Sequence, residues 1–255
     1  MKKILAVGLN TFRESVRQKI FFILLIFGFT LLLTSFFLYP LSVGEQSKII
    51  RDFGASAISF FNILLIIIVG STLIYKEIEK RTIYLVVTTP IEKSEIIIGK
   101  FLGLFLIIII NIVTMNIMHQ VLIFFTDKKF DPTLFIIFYP FLFECSILIS
   151  FLILFSTFSS SILSAIIGFL IYIIGHLIES LKLFAEISKI KIIKYISYFF
   201  YYILPNLENF NIKSNVVYGE IPSFNYFLFS SSYGIIYTII ILYIAIIVLE
   251  KKEFK

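Results

Sequence analysis

The sequence predicts an all-α membrane protein with six transmembrane helices. Of its 255 residues, 59% are hydrophobic and only 15% are charged, whereas a soluble domain is usually about half apolar and a quarter charged. The mean hydropathy is +1.02. About 20 apolar residues cross a bilayer as a helix, and the runs lack the alternation of a β-barrel strand. The predicted spans are roughly residues 20–40, 55–75, 98–124, 133–157, 161–181 and 232–249.

Residues 1–19 are predicted to form an amphipathic elbow helix in the membrane interface. Apolar side chains recur every three or four residues, and basic and polar side chains occupy the other side. The apolar positions are Leu5, Leu9, Phe12, Val16 and Ile20, and the polar ones are Lys3, Asn10, Arg13, Glu14 and Arg17. The helix either only anchors the topology or also takes part in function.

The distribution of basic residues predicts that both termini face the cytoplasm. With six spans the two termini lie on one side, and that side then receives 13 of the 22 Lys and Arg residues. An excess of Lys and Arg in short loops marks the cytoplasmic face. The long segment 182–231 carries lysines on the other side, where the rule is weaker because the loop is long.

The connection between spans two and three is too long and too charged to be a passive link. It reads "YKEIEKRTIYLVVTTPIEKSEIIIGK" from Tyr75 to Lys100. Thr89 and Glu92 have the spacing of a capping box, with Pro90 at the first helical position. The pattern predicts a short helix held crosswise at the membrane surface, where a soluble partner could dock. A solvated, salt-bridged turn is the alternative.

Polar residues inside the spans are candidates for a transport path. Glu144 lies well inside span four, where a carboxylate in lipid is costly unless it faces the bundle or a wet cavity. Asn116, His119 and Gln120 share one face of span three. Either these side chains line a path, or they link neighbouring helices by hydrogen bonds. His176 and Glu179, near the outer end of span five, are predicted to form an interfacial hydrogen-bonded pair. A metal site is the alternative, although it would need more ligands than these two.

The region 182–231 is predicted to hold an external re-entrant or interfacial helix before span six. Its aromatic run "IIKYISYFFYYIL" is too short to cross the membrane and has the Tyr and Phe content of the headgroup layer. An ordinary amphipathic surface helix remains the alternative. With 20–181 holding spans one to five, 232–249 span six and 250–255 a cytoplasmic tail, we expect a single domain over 1–255.

Several motifs of the sequence resemble those of permease subunits of ABC-2 type transporters. The loop motif reads Glu77-Ile78-Glu79-Lys80-Arg81-Thr82-Ile83, and Arg81 stands where many relatives have glycine. It is followed by the Pro90-led segment and by Gly99-Lys100-Phe101-Leu102-Gly103 at the start of span three. The segment Leu204–Gly219 and the tail "EKKEF" are also similar to bacterial members. The resemblance extends over nearly the whole chain.

The resemblance implies a dimer of permeases, with a second copy or a paralogue, and a separate ABC ATPase subunit docked on each half. The loop between spans two and three would then be the coupling helix, at about Thr89–Ile97. The residues it assigns to ATPase coupling are Glu77, Glu79, Lys80, Arg81, Thr89, Pro90, Glu92, Lys93 and Glu95. It also implies export across the bacterial cytoplasmic (inner) membrane by a multi-pass protein embedded in the lipid bilayer.

The chain itself has no sequence motif for ATP hydrolysis. The nearest Gly-Lys pair, Gly99-Lys100, is followed by Phe101 and opens a span, so it cannot cradle phosphates. ATP and magnesium are therefore expected on the partner, with no catalytic residue, metal ligand, cofactor or nucleic-acid site on this chain. The alternatives are a non-transporting membrane scaffold or assembly subunit, and a secondary carrier, although the repeats and broken helices typical of carriers are not evident in the sequence.

Overall fold

All regular elements in the described part of the chain are helices. The computed structural model describes residues 2–17, 22, 25–26, 28–30, 32–34, 46–79, 91–188 and 190–252. The helices are α1 (Lys2–Arg17), α2 (Gln46–Gly70), α3 (Tyr75–Glu79), α4 (Lys93–Asp127), α5 (Leu134–Ser156), α6 (Ser161–His176), α7 (Ile178–Ile187), α8 (Lys191–Ile203), α9 (Lys213–Val217) and α10 (Phe224–Lys251), with a 3₁₀ turn at Glu208–Phe210.

Four stretches of the described chain are long and apolar enough to cross a membrane. They are Lys48–Glu79, Lys93–Asp127, Leu134–Ser156 and Phe224–Lys251, and they correspond to predicted spans two, three, four and six. Most of predicted span one, 20–40, lies outside the described residues. Predicted span six begins earlier than expected, at Phe224, because the aromatic and serine residues before position 232 continue the helix.

Predicted span five is a bent pair of helices. Helices α6 and α7 meet at an angle of 64°, so the span predicted over 161–181 corresponds to either a broken span or a re-entrant pair of helices. The break leaves carbonyl groups without a helical partner, and the backbone N–H of Leu207 donates to the freed Gly175 carbonyl at 3.0 Å. The bend therefore depends on a segment about 30 residues further along the chain.

Helix α10 packs on α5 through a stripe of small residues. Ser230, Gly234, Thr238 and Ala245 of α10 are all buried, and a Cβ at Gly234 would lie 2.5 Å from Phe143 Cβ. The hydroxyls of Thr238 and Ser146 are 2.9 Å apart. Close backbone approach through small residues is the usual way for helices to associate in lipid.

Helix α1 packs on the start of α4 in the same way. Gly8, Thr11 and Ser15 face inward, and a Cβ at Gly103 would lie 2.5 Å from the Gly8 carbonyl oxygen. Leu5 and Leu9, predicted to face lipid, are exposed. Helix α1 therefore contacts the protein through a small-residue face, while Leu5 and Leu9 on its predicted apolar face stay exposed and Phe12 packs partly against the core.

Candidate functional site

The helix formed by span two breaks just before the segment predicted to couple to a partner. After Gly70 the backbone changes to shorter-range hydrogen bonds, such as Leu73 N–H to Gly70 O at 3.3 Å. In a continuous helix the Leu73 carbonyl would accept from the Glu77 N–H. Here that N–H donates to Ile74 O at 3.1 Å, which leaves the Leu73 carbonyl available to another donor.

Lys100 of α4 supplies that donor. Its Nζ donates to Leu73 O at 3.0 Å and to Glu77 Oε1 at 2.7 Å. The Lys100 side chain is 3% exposed and that of Glu77 is 23% exposed. A largely buried ion pair thus joins the two ends of the segment between spans two and three, and it holds the broken helix against α4.

The capping residue of α4 is Glu92, so the predicted capping box at Thr89–Glu92 is in the wrong register. Ile91 and Glu92 are not helical, and α4 begins at Lys93. The carboxylate of Glu95 accepts from the Glu92 backbone N–H at 3.1 Å. Residues 93–97 are thus the first turn of the 35-residue helix α4, and they do not form a separate crosswise helix.

Lys93 attaches the start of α4 to the end of α10. Its Nζ donates to the carbonyl oxygens of Leu249 and Glu250 at 3.1 Å and to that of Lys252 at 3.4 Å. Lys252 Nζ in turn donates to Thr157 O, at 2.8 Å, in the turn between α5 and α6. Together with the Lys100–Glu77 pair and the packing of α1 on α4, these contacts bring α1, α3, the start of α4 and the end of α10 together at one end of the bundle, which we call the junction.

The residues predicted for coupling divide into three groups. Lys80, Arg81, Thr89 and Pro90 lie outside the described residues. Glu77, Lys93 and Glu95 make contacts within the chain, since Glu95 also lies 4.0 Å from Lys3. Glu79 and Glu92 are exposed and are the two predicted acidic groups that the described structure leaves open to solvent.

Two of the predicted path residues bond to nearby backbone. His119 is buried, and its Nε2 lies 3.1 Å from Ile50 O. The Gln120 amide donates to Asp131 O at 2.7 Å and accepts from the Asp131 N–H at 3.3 Å. Both side chains therefore fasten α4 to neighbouring segments at the end of the bundle opposite the junction.

Asn116 differs from these two because it is fully buried and has no hydrogen-bond partner among the described residues. One turn away, Asn111 donates to the Asn62 side chain at 3.0 Å. Asn116 lines a cleft of about 240 Å³ between α4 and α5 whose other lining residues are mostly apolar. Its role in a path remains a prediction.

Substitution of Gly54 with alanine is expected to destabilise the chain by about 1–3 kcal/mol, because overpacking displaces a buried side chain. A Cβ at Gly54 would lie 2.0 Å from His119 Nε2. Thermal unfolding in detergent measures the loss of stability. Adding His119→Ala should recover part of it, because that change removes the imidazole ring with which the new Cβ would clash. A Gly54→Ala chain as stable as the wild type would contradict this packing.

Glu144, the fourth predicted path residue, belongs to a separate cluster. Its Oε1 lies 3.1 Å from His176 Nε2, and the other ring nitrogen lies 2.7 Å from Glu208 Oε2. Glu144 is buried. The predicted His176–Glu179 pair is wrong, since Glu179 instead accepts from Asn206 at 3.4 Å. The Glu144–His176–Glu208 triad fixes the bend between α6 and α7.

Two important positions were not predicted from the sequence. Lys100 could have been noticed as a charged residue entering a span, which indicates a special role by default. Arg51 pairs with Asp127 and Asp131 at 3.2 Å in each case. Its partners are far away in sequence and no local pattern identifies them. Among the described residues, no group of three His, Cys, Asp or Glu side chains could hold a metal ion.

These features define the class of the protein: a multi-pass membrane protein, helical throughout its described part, in which the described residues predicted for coupling lie at one end of the bundle, at the junction. The model of the family described as ABC-2 family transporter protein matches residues 5–254. The chain therefore belongs to the ABC-2 transporter family, whose members are membrane permease subunits of transport systems. No curated protein matches it significantly.

Proposed function

We infer that the chain is a permease subunit driven by a separate ABC ATPase that docks on the segment 77–97. The observation that carries this proposal is the convergence of helices at the junction. The segment begins at Glu77, which is bound to Lys100, and it ends in the first turn of α4, where Lys93 holds α10. A force applied to such a segment reaches several spans at once.

The exposed acids at the junction suggest which side of the segment meets the partner. Glu79 and Glu92 are exposed and make only local contacts, with Tyr75 and with the start of α4 respectively. Glu77 and Lys93, by contrast, bind other helices. Of the residues predicted for coupling, we assign ATPase contact to Glu79, Lys80, Arg81, Thr89, Pro90 and Glu92. The other three transmit movement into the bundle. ATP and magnesium belong to the ATPase subunit, and this chain is not itself an enzyme.

We assign the uncovered face of α10 to contact with lipid or a second permease subunit. Only 28% of its apolar window is buried, against 72%, 56% and 78% for the other three spans. Family membership favours a dimer, made with a second copy or a paralogue. In this proposal the single domain lies in a bacterial cytoplasmic membrane with both termini and the junction in the cytoplasm, and it exports its substrate.

A scaffold subunit and a secondary carrier, the two alternative functions, would respond differently from a permease to changes in the loop between spans two and three. A scaffold subunit would tolerate scrambling of residues 80–92. A secondary carrier would transport without an ATPase partner. The ion pairs and helix caps at the junction favour a segment built to transmit force, because a passive connection would not need a buried Lys100–Glu77 pair.

The combination of Glu79→Lys and Glu92→Asn is expected to remove a co-purifying ATPase from the chain. Both side chains are exposed, and asparagine at position 92 can still cap α4, so the fold should be retained. Affinity purification from the native membrane followed by an ATPase assay gives the result. The matched control is Glu186→Lys, an exposed acid on α7. Equal ATPase recovery from both variants would contradict the proposed docking face.

A further inference from the structure

Lys93 has an unusual position for a lysine. It is the first residue of α4, after the capping residue Glu92, and a positive charge at a helix N-terminus is unfavourable for that helix. Its ammonium instead lies at the C-terminal carbonyls of α10, where a positive charge is favourable. The contact with α10 therefore gives a physical reason for a lysine at this position.

The geometry at the end of α10 is that of a specific cap. Three carbonyl oxygens, those of Leu249, Glu250 and Lys252, lie within 3.1–3.4 Å of Lys93 Nζ. An ammonium group has three donors, and the last carbonyls of a helix have no partner within it. We call this arrangement the Lys93 clasp. It connects residues 156 positions apart or more in the sequence.

The clasp extends to a third element. Lys252, one of the three acceptors, uses its own side chain to donate to Thr157 O at 2.8 Å. Thr157 follows the C-terminal end of α5. The start of α4, the end of α10 and the turn after α5 thus form one chain of lysine-to-carbonyl bonds.

We propose that Lys93 is a positioning residue whose clasp makes the end of α10 move together with the start of α4 when the ATPase acts on the segment 77–97. This inference rests on the proposed function for its driving force. Helix α10 is the least buried of the four candidate spans, and its packing on α5 through small residues is the main contact that such a movement would disturb. Through the clasp, movement at the coupling segment reaches the last span as well as span three.

The first test is hydrogen exchange on the purified full chain in lipid nanodiscs. Lys93→Met should make the amides of the last turn of α10 exchange roughly 3- to 30-fold faster, because a favourable charge at the helix end is lost. Lys93→Arg should keep most of the protection. The matched control is Lys251→Met, which removes an exposed charge one residue from Glu250. Unchanged exchange in Lys93→Met would overturn the proposal.

The second test asks whether the clasp transmits movement in the complex with the ATPase. Spin labels at Arg13→Cys, on α1, and Lys251→Cys, on α10, are introduced into a Cys145→Ser background. Because α1 packs against the start of α4, the wild-type distance should stay constant between nucleotide-free and ATP-bound states. In Lys93→Met the distance should change with ATP, and Lys93→Arg should restore the constant value.

The outcomes distinguish a failure of the clasp from a failure of the proposed ATPase-driven function. Identical distances in wild type and Lys93→Met, both with and without ATP, would overturn the role of the clasp. A cap that merely stabilises the end of α10 would alter hydrogen exchange without altering the response to ATP. Failure of the proposed function would show earlier, as absence of an ATPase bound to the unchanged chain.

Discussion

Replacement of Lys100 with methionine is expected to lower the melting temperature of the chain in detergent by about 6–12 °C. Lys100 and Glu77 form a largely buried ion pair with an N–O distance of 2.7 Å. Removing one partner of a buried ion pair usually destabilises a protein by about 3 kcal/mol or more. We use the lower end of that range because Glu77 keeps some access to water. For a chain of this size that loss corresponds to several degrees.

A double-mutant cycle identifies the source of this loss. Glu77→Gln in the Lys100→Met background should recover part of the stability, because it removes the carboxylate that the first change leaves without its cation. Lys76→Met is the matched control, since Lys76 lies on the same short helix α3 and is only partly buried. Equal losses in Lys100→Met and Lys76→Met would contradict the buried pair.

The same substitution tests the coupling role of the junction. Lys100 also holds the Leu73 carbonyl that the helix break releases. Without it, the end of span two should detach from α4 and carry Glu79 with it, whereas the side chains of Glu79 and Glu92 should both stay exposed to the ATPase. We therefore expect Lys100→Met to retain ATPase binding in membranes and to lose ATP-driven transport.

Features that depend on local periodicity were predicted well from the sequence. The N-terminal helix and spans two, three, four and six follow directly from apolar run length and charge. Ser160 also caps α6 through its hydroxyl, which accepts from the Leu163 N–H at 3.4 Å. In each case the cause lies within a few residues of the element.

Features that depend on distant residues could not be predicted. The bend at His176 needs Glu144 and Glu208, each 32 positions away. The register of the cap at Glu92 depends on where α4 can begin while Lys93 still reaches α10. The local sequence allows a capping box that starts at Thr89 as well as one that starts at Glu92, so only the tertiary contact of Lys93 distinguishes the two starting points. The sequence thus predicted the charged segment but not its attachments.

Glu144→Leu is expected to lower the melting temperature by about 4–12 °C and to loosen the bend between α6 and α7. The change removes a buried carboxylate whose Oε1 lies 3.1 Å from His176 Nε2, and hydrogen bonds that involve charged groups contribute about 2–3 kcal/mol. The rate of amide hydrogen exchange at residues 175–179 and at Leu207 should increase in this variant, because the Leu207 N–H donates to the Gly175 carbonyl that the bend leaves free. Glu179→Leu, a nearby exposed site, is the matched control and should change little.

The isosteric change Glu144→Gln decides between the two roles that the sequence left open for this residue. Glutamine keeps an oxygen that can accept from His176, so a residue that only links helices should tolerate it in both stability and transport. A residue that binds a cationic substrate or carries a proton needs the carboxylate itself, and the variant would then stay folded while transport is lost. The hydrogen bonds to His176 and onward to Glu208 favour the link. We therefore expect Glu144→Gln to unfold within a few degrees of the wild type and to keep ATP-driven transport.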